Sequence, residues 1–331
     1  MANEPSFARP ASSLMRTLSL DIARVTEGAA VAAAKLRGRG DERQADAAAV
    51  AAMHRELADL AIDGRIVIGE GERDDVPLLY EGEELGVGGQ PVDIAVDPLE
   101  GTTLCAKSLP GALAVVAMSE RDCMLKVPDV YMEKIAIGPG YEPGLVSLER
   151  SIAENLARLA SAKGGRVSEL TACVLDRPRH ARLIEEIRSA GAAVALIGDG
   201  DIAGVIQTCK PDETGIDIYL GTGGAAEGVL AAAALVCLGG QIEGRLSGLS
   251  DEQARHAESL GIENPRRIFR VEDMVSGDII FAATGVTDGS LLPGARFFDG
   301  RIETHTVIMR SSTRTVRWIR AEHLDVRKFE R

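Results

Sequence analysis

The chain has 331 residues, enough for two domains of ordinary size or one large one. Its 45% apolar content and mean hydropathy of +0.03 fit a globular protein and exclude a disordered one. A formal charge of −13 excludes an electrostatic footprint for nucleic acid or anionic membranes, although local cations could still receive an anionic substrate.

Aromatic residues are only 3%, so the core must be built mainly from Ala, Val, Leu and Ile. Residues 1–14 read as a flexible extension, and residues 1–15 hold Glu4 and two prolines without a continuous apolar stretch. No signal peptide is expected from that pattern. Five scattered cysteines (Cys105, Cys123, Cys173, Cys209, Cys237) form no C-x-x-C pair, which points to a reducing cytoplasm. The longest apolar region, 228–238, is too short to span a bilayer.

Helical spacing of Leu18, Ile22, Val25 and Ala29 predicts a first helix over 18–36. A second is expected over about 44–61, where Asp46 shares a face with Val50, Met53 and Leu57. A strand at 65–68 runs at once into Gly69-Glu70-Gly71-Glu72-Arg73-Asp74-Asp75. The apolar run 92–96 predicts a buried strand that stops at Asp97-Pro98-Leu99-Glu100-Gly101-Thr102. Further strands are expected at 112–117 and 134–137, separated by a polar segment carrying Tyr131, with a linker at 139–148.

Strand and helix then alternate: helix 149–163, strand 171–175, helix 180–190, strand 193–197, helix 202–208, strand 216–220 and helix 225–238. This is the pattern of an α/β layer with strand C-termini aligned on one edge. The last 60 residues read as shorter strands, including 279–284 and 305–310.

The hexapeptide at 97–102 gathers two carboxylates and a hydroxyl where a buried strand stops. Pro98 fixes one φ angle and Gly101 relaxes another, so the chain can aim several oxygens at one point. An acidic surface turn is the plain alternative. Asp46 could likewise lie at a solvated helix end, and Glu227, in a first turn, is favoured there by the helix dipole. Taken jointly, however, Asp46, Glu70, Asp97, Glu100 and Glu227 all fall beside buried segments. If they converge without counter-charge they raise one another's pKa, and divalent cations would resolve the conflict. Oxygen-only ligands favour Mg²⁺, Mn²⁺ or Ca²⁺, and carboxylate-bridged ion pairs recur in phosphoryl chemistry.

Arg177 and Arg179 flank Pro178 in a short loop after a strand and suit phosphate oxygens, or form an ordinary basic loop. Asp199 and Asp201, around Gly200, could accept hydrogen bonds from sugar hydroxyls, and Gly224 could let the backbone approach a ligand. A rival reading comes from 221–226, which matches the dinucleotide pattern G-x-G-x-x-A with Glu243 about twenty residues on. Residues 198–203 match it too, and Asp199, Asp201 and Glu227 would each face or crowd a pyrophosphate. His180 has no nearby partner in sequence and reads as a helix-start residue.

In order along the chain stand Asp46, Ile-Gly-Glu-Gly-Glu at 68–72, Asp-Pro-Leu-Glu-Gly-Thr at 97–102 and Tyr-Met-Glu-Lys at 131–134. Arg-Pro-Arg-His at 177–180, Asp-Gly-Asp at 199–201 and Gly-Gly-Ala-Ala-Glu-Gly at 223–228 follow. Together, over about 16–325, they resemble the class II fructose-1,6-bisphosphatases, including members that also act on sedoheptulose-1,7-bisphosphate. The D-P-x-[DE]-G-[ST] element also resembles that of the wider lithium-sensitive phosphatase superfamily, which includes inositol-phosphate-type enzymes.

The resemblance implies a layered αβαβα fold with the active site between two mixed α/β domains. The expected organisation is an extension at 1–14, a metal-binding domain at 15–148 and a substrate-binding domain at 149–331. It implies Mg²⁺ or Mn²⁺ at Asp46, Glu70, Asp97, Glu100 and Glu227, and hydrolysis of the 1-phosphate. Thr102 matches a hydroxyl near that phosphate. Asp74 matches an acid thought to help activate water, and Glu72 stands in the same segment. Glu100, Gly101, Thr102, Tyr131, Arg177, Pro178, Arg179, Asp199, Gly200, Asp201 and Gly224 match substrate-binding positions. The partners implied are a small sugar bisphosphate and a second or further copies of the chain, as homodimer or homotetramer, in the cytoplasm. One departure stands out: after Gly38-Arg39-Gly40-Asp41 the family commonly has Lys, and this chain has Glu42 followed by Arg43.

Overall fold

The computed structural model describes residues 18–70 and 77–330. Two helices open it, α1 (Leu18–Ala34) and α2 (Glu42–Ala58). The second starts earlier than its apolar pattern suggests, because Asp41 caps it by accepting the Gln44 N–H at 2.9 Å. Strands β1 (Ile62–Ile68), β2 (Glu84–Leu85) and β3 (Gln90–Glu100) follow, then the short helix α3 (Thr102–Ala106), β4 (Leu113–Glu120) and β5 (Tyr131–Ile137).

The alternating region contains α4 (Ile152–Lys163), β6 (Thr171–Leu175), α5 (Ala181–Ser189) and β7 (Ala193–Ile197). It continues through α6 (Asp201–Gln207), α7 (Pro211–Thr214), β8 (Ile218–Gly224), α8 (Ala225–Leu238) and β9 (Gln241–Ser247). Helix α9 (Asp251–Ser259), β10 (Phe269–Arg270) and α10 (Val271–Met274) lead to β11 (Ile279–Gly285), β12 (Arg296–Phe298), β13 (Arg301–Arg310) and β14 (Thr315–His323).

Two mixed sheets organise these elements. The eight-stranded sheet has the order β12-β13-β11-β4-β3-β1-β2, with β14 on the other side of β13. The six-stranded sheet runs β10-β9-β5-β8-β6-β7. Three apolar clusters bind five layers. Helices α1 and α2 cover one face of the first sheet through Ile22, Val25, Met53 and Leu57. Helix α8, apolar apart from Glu227 in its first turn, fills the space between the sheets with α6. Helices α4 and α5 close the outer face of the second sheet through Leu156, Leu159 and Ile187. The order is therefore α, β, α, β, α, as the resemblance implies. A helix apolar on nearly every side belongs in such a central layer.

Sheet membership cuts across the boundary expected at 148/149. Strand β5 pairs with β8 and β9 in the second sheet, while β11 to β14 return to the first. The stretch read as a linker is tied down: Gln241 donates to the Tyr141 carbonyl at 2.9 Å, and Leu148 N–H donates to Glu243 at 2.9 Å.

Three local expectations are corrected. Strand β3 does not stop at Val96 but runs through Asp97 to Glu100, with a bulge between them against Val115 and Leu113 of β4. Tyr131 begins β5 instead of lying in a polar connection. The glycines at 221–224 continue β8, pairing Gly224 with Tyr131, and form no nucleotide-binding turn.

Candidate active site

Four strand or helix ends meet at a cleft of about 460 Å³ that opens between the layers. Strand β1 brings Glu70 just past its end. The bulged end of β3 brings Asp97 and Glu100, and Gly101 at φ +87° turns the chain into α3, whose first residue is Thr102. Helix α2 contributes Asp46 from its second turn. From the second sheet come Gly200 and Asp201 at the start of α6, and Gly224 and Glu227 where β8 passes into α8. All five acids expected to bind metal line this one cleft, as do Gly101, Thr102, Asp199, Gly200, Asp201 and Gly224.

The local backbone explains the close approach. A Cβ on Gly224 would meet Glu227 Oε2 at 1.9 Å, and one on Gly69 would meet the Leu79 carbonyl at 1.9 Å. A side chain at Gly224 would therefore displace the Glu227 carboxylate from its place at that strand–helix junction.

The electrostatics are one-sided. Burial pushes Glu100 well above the usual carboxylate range, and the charge of Asp201 adds to it; the Ile202 N–H, donating to Oε1 at 2.7 Å, pulls the other way. Glu100 Oε2 is buried and has no partner among the described residues. Burial also raises Asp97, reinforced by Glu100 and Glu227. Glu70 is pushed up to about 7 by burial and by Asp46 and Glu227. Asp46 is raised by burial alone, and Glu227 by burial and Asp201, with Lys134 opposing. Carboxylates that raise one another in this way form a ready sink for positive charge. Among the described residues no three of them converge closely enough to enclose a single ion.

The two predicted arginines do not line the cleft but lie next to it. Arg177 donates to the Gly198 carbonyl and, at 3.2 Å, to Asp199 Oδ1, so it is committed to shaping the 198–201 loop. Arg179, exposed, donates from Nε to the Thr222 carbonyl at 2.9 Å and places its guanidinium 5.0 Å from the Tyr131 ring centre. Its terminal nitrogens have no partner among the described residues. Tyr131 lines a recess that shares Gly224 and Glu227 with the main cleft, whereas Arg179 lines a separate one next to it. Pro178 opens a 3₁₀ turn, Pro178–His180, that carries Arg179 and is preceded by Arg177.

His180 is structural, as its sequence context suggests. Its Nε2 accepts the Thr222 N–H at 2.8 Å, so Nδ1 carries the proton and donates to the Leu175 carbonyl at 2.8 Å. Burial keeps it below its usual pKa, and it pins β6 to β8.

Glu72 and Asp74 lie outside the described residues. The sequence reading passed over Lys134, whose ammonium is buried against this cleft and pairs with Asp201. The available signal was a lysine on the inward face of an apolar strand, between Met132 and Ala136. Glu81 and Asp129 also line the cleft, with no motif to announce them.

The family model described as bacterial fructose-1,6-bisphosphatase, glpX-encoded, matches residues 16–323. The chain belongs to this family. A relative from Synechococcus sp. strain JA-3-3Ab, called D-fructose 1,6-bisphosphatase class 2/sedoheptulose 1,7-bisphosphatase, is 43% identical over 333 residues. That match covers 93% of this chain and 95% of the relative. The protein of the same name from Synechococcus elongatus is 41% identical over 335 residues, covering 93% and 96%. The chain is a phosphatase. No helix among the described residues is long and apolar enough to cross a membrane.

Proposed function

We propose that the protein hydrolyses the 1-phosphate of fructose-1,6-bisphosphate in the cleft, and that the same site admits sedoheptulose-1,7-bisphosphate. The observation that carries this reading is the pairing of an acid-walled cleft with a rim arginine held on an aromatic ring. The names of the relatives from Synechococcus support the same substrates.

Mg²⁺ or Mn²⁺ fits the cleft on the chemistry of its lining: every acidic donor is oxygen, Glu100 Oε2 is buried without a partner among the described residues, and Gly224 leaves space beside Glu227. Asp46, Glu70, Asp97, Glu100 and Glu227 would hold the ions. When bound, they supply charge for the phosphate and lower the pKa of a water. The chain's own groups do the rest. Thr102 lines the cleft with Asp97 and Glu100, where its hydroxyl can orient the 1-phosphate. Asp201 and the Gly224 backbone border the sugar. Arg179 holds the distal phosphate from the rim, and Arg177 acts one step back by fixing Asp199. Glu72 and Asp74 are proposed as the acids that activate water.

The D-P-L-E-G-T element and the five-layer order support a place in the wider lithium-sensitive phosphatase superfamily. Five cysteines without a disulfide support the cytoplasm as the compartment. The test is phosphate release from fructose-1,6-bisphosphate, sedoheptulose-1,7-bisphosphate and an inositol monophosphate, each with Mg²⁺, Mn²⁺ or EDTA. Metal-dependent turnover of the bisphosphates is expected, with inhibition by Li⁺. Turnover of the inositol phosphate alone would move the assignment to another branch of the superfamily.

A further inference from the structure

We propose that Lys134 is a positioning residue of this phosphatase: from behind the cleft it holds Asp201 and the Gly224 carbonyl in the arrangement that receives the sugar. The proposal rests on the reading of the cleft as the reaction site.

Three elements far apart in sequence meet at this ammonium. Lys134 comes from the middle of β5, on the strand face that Met132 and Ala136 present to the central apolar layer, and it is 1% exposed. A cation there is tolerated only when paired and hydrogen-bonded. Its partners are the Asp201 carboxylate, at the first turn of α6, and the Gly224 carbonyl at 2.8 Å, at the end of β8. Among the described residues its third N–H has no partner.

Asp201 is gripped on one oxygen only. Lys134 and the Tyr219 hydroxyl, at 3.4 Å, both reach Oδ2, and Oδ1 has no bond to the described residues. Asp201 lines the cleft, so the grip orients one oxygen into the protein and leaves the other for a ligand hydroxyl. Two glycines complete the device. A Cβ on Gly223 would meet Asp201 Oδ2 at 2.2 Å, and one on Gly224 would meet Glu227 Oε2 at 1.9 Å. The lysine thus fixes, through one ammonium, the sugar-facing Asp201 and the backbone turn that carries Glu227. A purely structural lysine would have no reason to contact two cleft-lining elements and leave the rest of the layer apolar.

The test is a double-mutant cycle on steady-state kinetics with fructose-1,6-bisphosphate. Lys134→Met is expected to raise KM at least about tenfold, with kcat falling by a smaller factor, because binding geometry is lost before chemistry. Asp201→Asn should raise KM comparably. The double variant removes both charges together, which favours folding over either single change. It should be no worse than the poorer single variant. Multiplying effects on KM, or a Lys134→Met enzyme with wild-type KM, would overturn the proposal. Should Lys134→Met fail to fold, as read by its melting curve, Lys134→Gln is read in its place: a raised KM with largely retained kcat supports positioning, and a wild-type KM overturns it. Wild-type turnover of the substrate panel separately reports on the assigned substrate, and the cycle is then read on whichever phosphate ester the wild type hydrolyses.

Discussion

Strand β3 carries two aspartates on the same face, four residues apart, and their surroundings are opposite. Asp93, wholly buried, accepts Arg65 Nε at 3.1 Å and Nη2 at 2.7 Å on one oxygen, and the Asp122 N–H at 2.7 Å on the other. Asp97, four residues on, has Glu100, Glu227, Glu70 and Asp46 as its electrostatic neighbours, all of the same sign. A buried carboxylate with cations and N–H groups around it is a structural part. One surrounded by acids is held at a cost to the fold that only bound positive charge offsets. The difference separates the two roles on one strand without reference to any motif.

The sharpest way to break this comparison is to neutralise each aspartate in turn. Asp97→Asn should reduce phosphate release by roughly three orders of magnitude, the scale of a lost electrostatic group at a reacting centre. The metal-free variant should nonetheless melt higher than wild type, since one like charge has gone. Asp93→Asn should do the reverse, costing about 1–3 kcal/mol of stability because the buried charge-assisted bonds to Arg65 and the Asp122 N–H are weakened, while Arg65 keeps Asp122. Its turnover per folded molecule should stay near wild type. Melting curves beside phosphate assays decide; a destabilised Asp97→Asn with retained activity would erase the distinction.

Ligand linkage gives a second, smaller effect. Mg²⁺ at a hundredfold excess over its Kd should stabilise wild type by about 2.7 kcal/mol. EDTA should reverse the gain, and Asp97→Asn should show little of it. An equal gain in both proteins would place the ions elsewhere.

Much of this contrast was legible in the sequence, but unevenly. Asp97 and Glu100 announced themselves because they stand where an apolar run reaches two carboxylates, and β6, β7 and α8 matched their expected limits, since strand and helix periods are strong there. Asp93 was invisible. It reads as one polar residue in a strand, and its partners Arg65 and Asp122 come from elements that only the sheet brings together. The same limit hid Lys134, whose value depends on Asp201 and Gly224 lying beside it. The glycines of 221–224 misled for a different reason. They resemble a turn because turns use glycine most, yet here they are strand residues whose missing side chains make room for Asp201 and Glu227.

The acid cluster also predicts a pH signature for the metal-free protein. Glu70 titrates near 7 in the folded state, pushed up by burial and by Asp46 and Glu227, against an ordinary 4.5. A raised folded value means that the folded state binds the proton more tightly. The contribution is complete below 4.5 and is lost as pH rises through about 7. Melting temperature in EDTA should therefore fall between pH 4.5 and 7.5, and Glu70→Gln should flatten part of that fall. Saturating Mg²⁺ should flatten it too, by stabilising the ionised carboxylates. A melting temperature that rises across this window would mean the acids are compensated by something other than a cation.

The rim should respond most weakly of all, which tests the comparison from its other side. Tyr131 is 54% exposed, and its contact with Arg179 spans 5.0 Å from guanidinium carbon to ring centre. Such a pair at an exposed site is worth about 0.5–1 kcal/mol, which is roughly a two- to fivefold change in binding. Tyr131→Leu should accordingly raise KM for fructose-1,6-bisphosphate by about that factor and leave kcat nearly unchanged, whereas Tyr131→Phe, which keeps the ring, should stay within about twofold of wild type. The reason lies in what each region must do. Under the proposed function the cleft acids meet charge where bonds change, so an error there should appear in kcat; the rim holds a phosphate that does not react, so an error there should appear in KM. A Tyr131→Leu enzyme crippled in kcat would mean that the aromatic ring reaches the reacting centre, and the division between cleft and rim would have to be redrawn.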